Sequence, residues 1–287
     1  MVSKFLSAAG IPLAAGGEEK KFRYDFSEAG GFPQPLKFDD KREEREYLKG
    51  RLTAAFRIFA KYGLNEGVAG HITLRDPVEP DTFWVNPLGL SWPLIKRSDL
   101  VRLDDTGKVI DHGPSKLVNQ SAFLIHAAVH RARPDVICAA HAHSFYARTF
   151  SSLGLPLAFI SQDACTFYND IALYDQFDGI VLGGTEGNVI AEALGGKKAA
   201  ILRNHGLLTA GASIEAAVYW FVTLESLCHS QLIAMAACAH PGTTLKEVGH
   251  AEAQETFETL GQHATAWFSA KPMFDLIAHE TREDYLG

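Results

Sequence analysis

Residues 118–144 read VNQSAFLIHAAVHRARPDVICAAHAHS, and the rest of the chain is best understood outward from them. The first half has the marks of a helix from about Asn119 to Arg133: Asn119 or Ser121 supplies a capping side chain and Pro134 closes the run. The second half, entered through Val136 and Ile137, predicts a short buried strand. Alternate residues of a strand project to one face, so His141 and His143 point the same way and can chelate one ion. His126 and His130 also share a face, four residues apart on the helix. They resemble the two histidines of H-E-x-x-H in spacing alone, because the run here is H-A-A-V-H and lacks the glutamate base.

A third imidazole comes from KKAAILRNHGLLTAG, an apolar stretch interrupted by Asn204-His205-Gly206. Glycine permits a close turn there and lets His205 be aimed away from the strand. Three neutral imidazoles, with the remaining positions left to water or substrate, make an open catalytic site rather than a closed structural one. Zinc, iron, manganese and cobalt all accept imidazole. A histidine at a strand end can equally be a hydrogen-bonded core residue, and spacing alone leaves both readings open.

Around these segments the chain alternates helical and extended patterns. DKREEREYLKGRLTAAFRIFAKYG begins a helix at Asp40 and ends it near Gly63. HITLRD and DTFWVNP read as strands, and VRLDDTGKVID as a hairpin turning at Asp105-Thr106-Gly107. LAFIS and GIVLGG are strand-like, EGNVIAEALG is helical, and SIEAAVYWFVTLESLCHSQLIAMAA is the longest helical pattern. Mixed strands and helices without strict alternation predict a sheet covered by helices. Residues 1–40, with AAGG and EAGGFPQP, form an arm; 41–245 form the main domain; 246–287 form a helical extension.

Composition narrows the function. A net charge of −7 without a basic run excludes a nucleic-acid footprint, and no apolar stretch is long enough for a membrane span. The four cysteines form no C-x-x-C pair, which points to a reduced, cytoplasmic protein rather than a disulfide or zinc-ribbon scaffold.

VAGHITLRDP, WVNPLG, IKRSDLVRLDDTGKVI, the 121–144 run and AAILRNHGLLTAG followed by IEAAV occur in an order that resembles the class II aldolase/adducin family over about residues 45–240. The resemblance implies an α/β fold, a three-layer α/β/α sandwich with a mostly antiparallel central sheet, assembled as a homotetramer. It implies one divalent metal ion per chain, zinc foremost with iron or manganese as alternatives, held by His141, His143 and His205, with His126 behind the ligands. Adducin-like relatives lose those ligands; their retention here favours an enzyme acting on a small-molecule substrate.

Two departures from the family pattern bear on the chemistry. The aldolases carry a glutamate four residues before the helix histidine, and that position is Ala122 here, which neither binds metal nor moves a proton. Two phosphate-cradling stretches become Gly67–Thr73 and Asn86–Gly89, short of the donors that a phosphate needs to replace its hydration. The resemblance therefore implies a lyase acting on a small non-phosphorylated carbonyl or hydroxy-carbonyl compound, with His71, Tyr168 and Asp163 as candidate substitutes for the lost acid/base. The alternative is a non-haem iron oxygenase that uses the same three histidines on a 2-oxo acid or aromatic substrate, and a further alternative is an adducin-like interaction protein without catalysis.

Overall fold

The computed structural model describes residues 31–177, 179 and 184–287. Most of the expected N-terminal arm, residues 1–30, and the core of the strand expected at GIVLGG, residues 180–183, lie outside the described residues.

Eight strands make one sheet: β1 (His71–Arg75), β2 (Thr82–Val85), β3 (Val101–Asp104), β4 (Val109–Asp111), β5 (Cys138–Ala142), β6 (Ile171–Tyr174), β7 (Ala199–Leu202) and β8 (Gly206–Gly211). Their order is β4-β3-β2-β1-β5-β8-β7-β6. The sheet is mixed. β6 runs parallel to β7 at one edge, whereas the other neighbours pair antiparallel, so the sheet departs from the all-antiparallel pattern there.

The helices are α1 (Lys41–Lys61), α2 (Gln120–Ala132), α3 (Phe145–Ser151), α4 (Gln162–Cys165), α5 (Gly184–Leu194), α6 (Ile214–Ala237), α7 (His250–Leu260) and α8 (His263–Thr281). Asp40 caps α1 by accepting from the Arg42 amide at 2.8 Å, and Asn119 caps α2 by accepting from the Ala122 amide at 3.1 Å. β5 is buried along its whole length because its residues are small: Cys-Ala-Ala-His-Ala lets helices approach both faces. Cys138, Ala140 and Ala142 join the core built with Phe56 and Phe59 of α1, Phe221 of α6 and Phe274 of α8. Ala139 joins a second core with Ile125 and Val129 of α2 and Ile190 and Leu194 of α5. The C-terminal extension thus shares the main core rather than standing apart from it.

LAFIS is not a strand. The Ala158 amide donates to the Gln231 side chain at 2.8 Å, and the Phe159 carbonyl accepts from the Val248 amide at 2.8 Å. Partners on α6 and on the segment before α7 take the place of ladder bonds. The edge position belongs instead to Ile171–Tyr174, too short and too little alternating to read as a strand. At the start of β7 the fully buried ammonium of Lys198 donates to the carbonyls of Thr166 at 2.6 Å and Gly261 at 2.7 Å, pairs with Asp170 at 3.3 Å and lies 4.0 Å from the Trp220 ring centre. This single side chain ties the α7–α8 turn to the sheet.

Candidate metal centre

Antiparallel partners in a ladder share a face, and β1 pairs with β5 so that His71 stands opposite His141 and Thr73 opposite Ala139. Those four residues therefore look toward α2. His141 lies mid-sheet. Its Nδ1 is 2.7 Å from the Leu207 carbonyl on β8, a group that only accepts, so Nδ1 carries the proton and Nε2 remains free. His143 follows the last residue of β5. His205 sits in the tight β7–β8 turn, which is closed by its own amide donating to Leu202 at 3.0 Å and by Asn204 in a left-handed conformation at φ 58°. A Cβ at Gly206 would stand 2.6 Å from the Ala142 carbonyl, so glycine is required for that turn to reach the end of β5.

The three rings meet edge to face, with centroids 5.1 Å apart for His141–His143 and 4.7 Å for each to His205. One nitrogen from each lies within 4.8 Å of the other two. Ligands bound to zinc at about 2.0–2.1 Å sit roughly 3–4 Å apart, so small ring rotations close the set on one ion. Its protonation state also fits. Burial, then the neighbouring imidazoles, hold His141 well below the usual histidine range, and burial lowers His205 to about 4. Burial also lowers His143, against the Glu66 carboxylate and with the Arg148 guanidinium. All three are neutral near pH 7, the form that binds a cation.

The end of β5 is anchored from behind. The buried carboxylate of Glu225 on α6 accepts from Ser144 Oγ at 2.5 Å and from the amides of Tyr146 and Ala147 at 2.9 Å each, capping α3 directly after His143. Sequence reasoning missed Glu225 because its partners lie roughly eighty residues away in the chain.

The helix pair His126 and His130 does not join the three-histidine group. Thr73 Oγ1 lies between them, 2.8 Å from His126 Nδ1 and 2.8 Å from His130 Nε2. His71 stands between this arrangement and the centre, its ring 3.9 Å from that of His126 and 5.5 Å from that of His141. Burial first, then His126, keep His71 well below the usual range; the Ala122 carbonyl acts in the opposite sense. Neither His71 ring nitrogen nor Nε2 of His126 has a well-formed hydrogen bond. The cavity beside His71 is about 10 Å³, with walls that include Val68, Val85, Leu88 and Phe123, and Asn86 and Asn119 as polar members.

The other two candidates keep different company. The Tyr168 hydroxyl hydrogen-bonds to His250 of α7, and its ring packs on Phe159 at 4.9 Å. Asp163 lines a separate cavity of about 550 Å³ between the 157–164 segment and α6, to which none of the three clustered histidines contributes. The carboxylate that does bear on His143 is Glu66, ion-paired with Arg148 at the rim. Only its position before the Gly67–Gly70 loop could have hinted at it.

The family model for the class II aldolase and adducin N-terminal domain matches residues 50–232. Decarboxylase NovR of Streptomyces niveus is 42% identical over 85% of this chain and 88% of its own. The 4-hydroxy-3-prenylphenylpyruvate oxygenase/4-hydroxy-3-prenylbenzoate synthase of Streptomyces roseochromogenus subsp. oscitans is 41% identical over 85% of this chain and 86% of its own. Among solved structures, L-fuculose 1-phosphate aldolase from Glaciozyma antarctica PI12 superposes with a TM-score of 0.81 at 44% identity, covering 88% of this chain and 96% of that one.

Proposed function

The chain belongs to the class II aldolase and adducin family, and from that premise we propose that it is a divalent-metal enzyme of lyase type, cleaving a bond next to the carbonyl of a small non-phosphorylated substrate. The observation that carries this reading is the convergence of His141, His143 and His205, three neutral imidazoles at the end of the central strand β5 and the adjoining β7–β8 turn. Zinc, iron or manganese held by those three residues would supply Lewis-acid polarisation of the substrate carbonyl. The fixed tautomer of His141 and the turn at Gly206 keep the ligands in place. A non-catalytic, adducin-like role would not require that constellation.

His71 is the proposed proton-handling group, since it lies against both His141 and the Ala122 segment, where the family's carboxylate is missing. Tyr168 and Asp163 are the further candidates for the same role, and within the chain Tyr168 bonds to His250 while Asp163 lines a cavity apart from the three histidines. Among the described residues, none of those walling the small cavity at His71 carries a cation or a hydroxyl, which supports a substrate without phosphate.

Ala122 and the names of the two Streptomyces relatives favour a second reading, oxygen-dependent cleavage of a 2-oxo acid at the same three histidines with iron as the metal. Unpaired thiols at Cys138, Cys165, Cys228 and Cys238 support a reducing, cytoplasmic setting, and no helix among the described residues is long and apolar enough to cross a membrane. We assign residues 41–245 to the family domain and 246–287 to a helical extension packed on it.

The test is elemental analysis of anaerobically purified protein, with product release and oxygen uptake followed on a panel of 2-oxo acids and hydroxy-ketones. About one zinc or manganese per chain and turnover without oxygen supports the lyase. Iron with substrate-dependent oxygen uptake supports the second reading. Protein that takes up none of these metals overturns both.

A further inference from the structure

From the polar groups buried between β1 and α2, we infer that His130, Thr73 and His126 form a chain of neutral hydrogen bonds that sets the tautomer of His126, the ring packed against His71. The inference rests on the proposed role of His71, but its geometry stands on separate residues.

The chain starts at a group with no choice. His130 Nδ1 is 3.2 Å from the Val136 carbonyl, which only accepts, so that nitrogen carries the proton. Arg75 Nη2 also approaches it, at 3.5 Å, which on its own would favour a bare nitrogen. Both hydrogens of that Nη2 are already taken, however, by the carbonyls of His130 at 2.6 Å and Arg133 at 3.2 Å. Phe83 stacks on the His130 ring at 4.6 Å and 23°, fixing its plane. His130 is fully buried and neutral, so Nε2 offers a lone pair.

A threonine hydroxyl has one hydrogen. With Nε2 of His130 bare, Thr73 donates to it at 2.8 Å and must accept from His126 Nδ1 at 2.8 Å. His126 is therefore protonated at Nδ1, and its fully buried Nε2 is a lone pair without a donor in a formed hydrogen bond. The ring packed against His126 is that of His71, with centroids 3.9 Å apart. Thr73 and His130 are positioning residues in this scheme; neither touches the metal ligands.

Imidazole ¹⁵N chemical shifts report tautomers directly, so the experiment is NMR of the full chain labelled at histidine, with and without zinc. The expected wild-type spectrum has His126 and His130 each protonated at Nδ1. In Thr73→Val, which removes the hydroxyl but keeps the shape, the His126 signals move toward a mixture of both tautomers while His130 keeps its form. Thr73→Ser restores the wild-type pattern, and all three proteins bind one zinc per chain. A wild-type His126 protonated at Nε2, or a Thr73→Val spectrum identical to wild type, overturns the relay. The wild-type spectrum decides even if Thr73→Val does not fold. Failure of wild-type protein to bind zinc would instead count against the metal-enzyme reading and leave the relay standing.

Discussion

The hydroxyl of Ser144 donates at 2.5 Å to the buried carboxylate of Glu225, one residue beyond the metal-ligand candidate His143. An α6 side chain thereby holds the exit of β5. Glu225→Ala strands one hydroxyl and two amides, each costing about 1–3 kcal/mol when buried without a partner. The expected result is a loss of at least about 2 kcal/mol in denaturant unfolding together with metal affinity weakened about 10–100-fold. Unchanged metal affinity in a folded variant would show that Glu225 serves α3 alone.

Gly206→Ala places a Cβ 2.6 Å from the Ala142 carbonyl, a contact that neither strand can relieve without moving. Overpacking of this kind costs about 1–3 kcal/mol, and the displaced turn carries His205 with it. We expect a lower unfolding midpoint and weaker zinc binding in calorimetry.

Acid stability follows from His130. Burial lowers it from 6.5 to about 3, so between those values the unfolded chain binds a proton there that the folded chain refuses. Its contribution is complete above pH 6.5 and falls by about 1.4 kcal/mol for each pH unit below. Lys198, lowered by burial to about 8 from 10.5, has the same sign in a higher window, with stability rising between those pH values. Urea titrations across pH measure both slopes; His130→Gln should flatten the acidic one.

His143→Ala should abolish metal uptake while leaving the far-ultraviolet spectrum intact, because the ring lies past the strand rather than in the core. Ala122→Glu restores the family's carboxylate near the start of α2, where a negative charge is favoured by about 0.3–1 kcal/mol. Tighter zinc binding is expected by titration; unchanged affinity would mean that this turn of the helix does not face the ion.

The three-histidine cluster was legible because strand periodicity is local: H-x-H on a buried strand forces two imidazoles to one side, and N-H-G marks a turn. The relay was not. His126 and His130 were recognisable as sharing a helix face, but the hydroxyl joining them comes from Thr73, more than fifty residues earlier, and its pairing opposite Ala139 exists only in the folded sheet. Glu66 and Glu225 escaped for the same reason, since a carboxylate has no periodic signature. LAFIS misled because its apolar pattern suits a strand, whereas its backbone groups found partners on α6 and before α7.

By itself, the sequence determined the family, the placing of His141 and His143 on one side of a strand, and the absence of a carboxylate at Ala122, since each depends on residue identity at short spacing. Tertiary structure alone decided which groups surround those imidazoles: the carbonyl that orients His141, the carboxylate that holds the end of β5, and the hydroxyl that links two helix histidines. Hydrogen bonds of that kind act over about 3 Å in space and carry no record of distance along the chain.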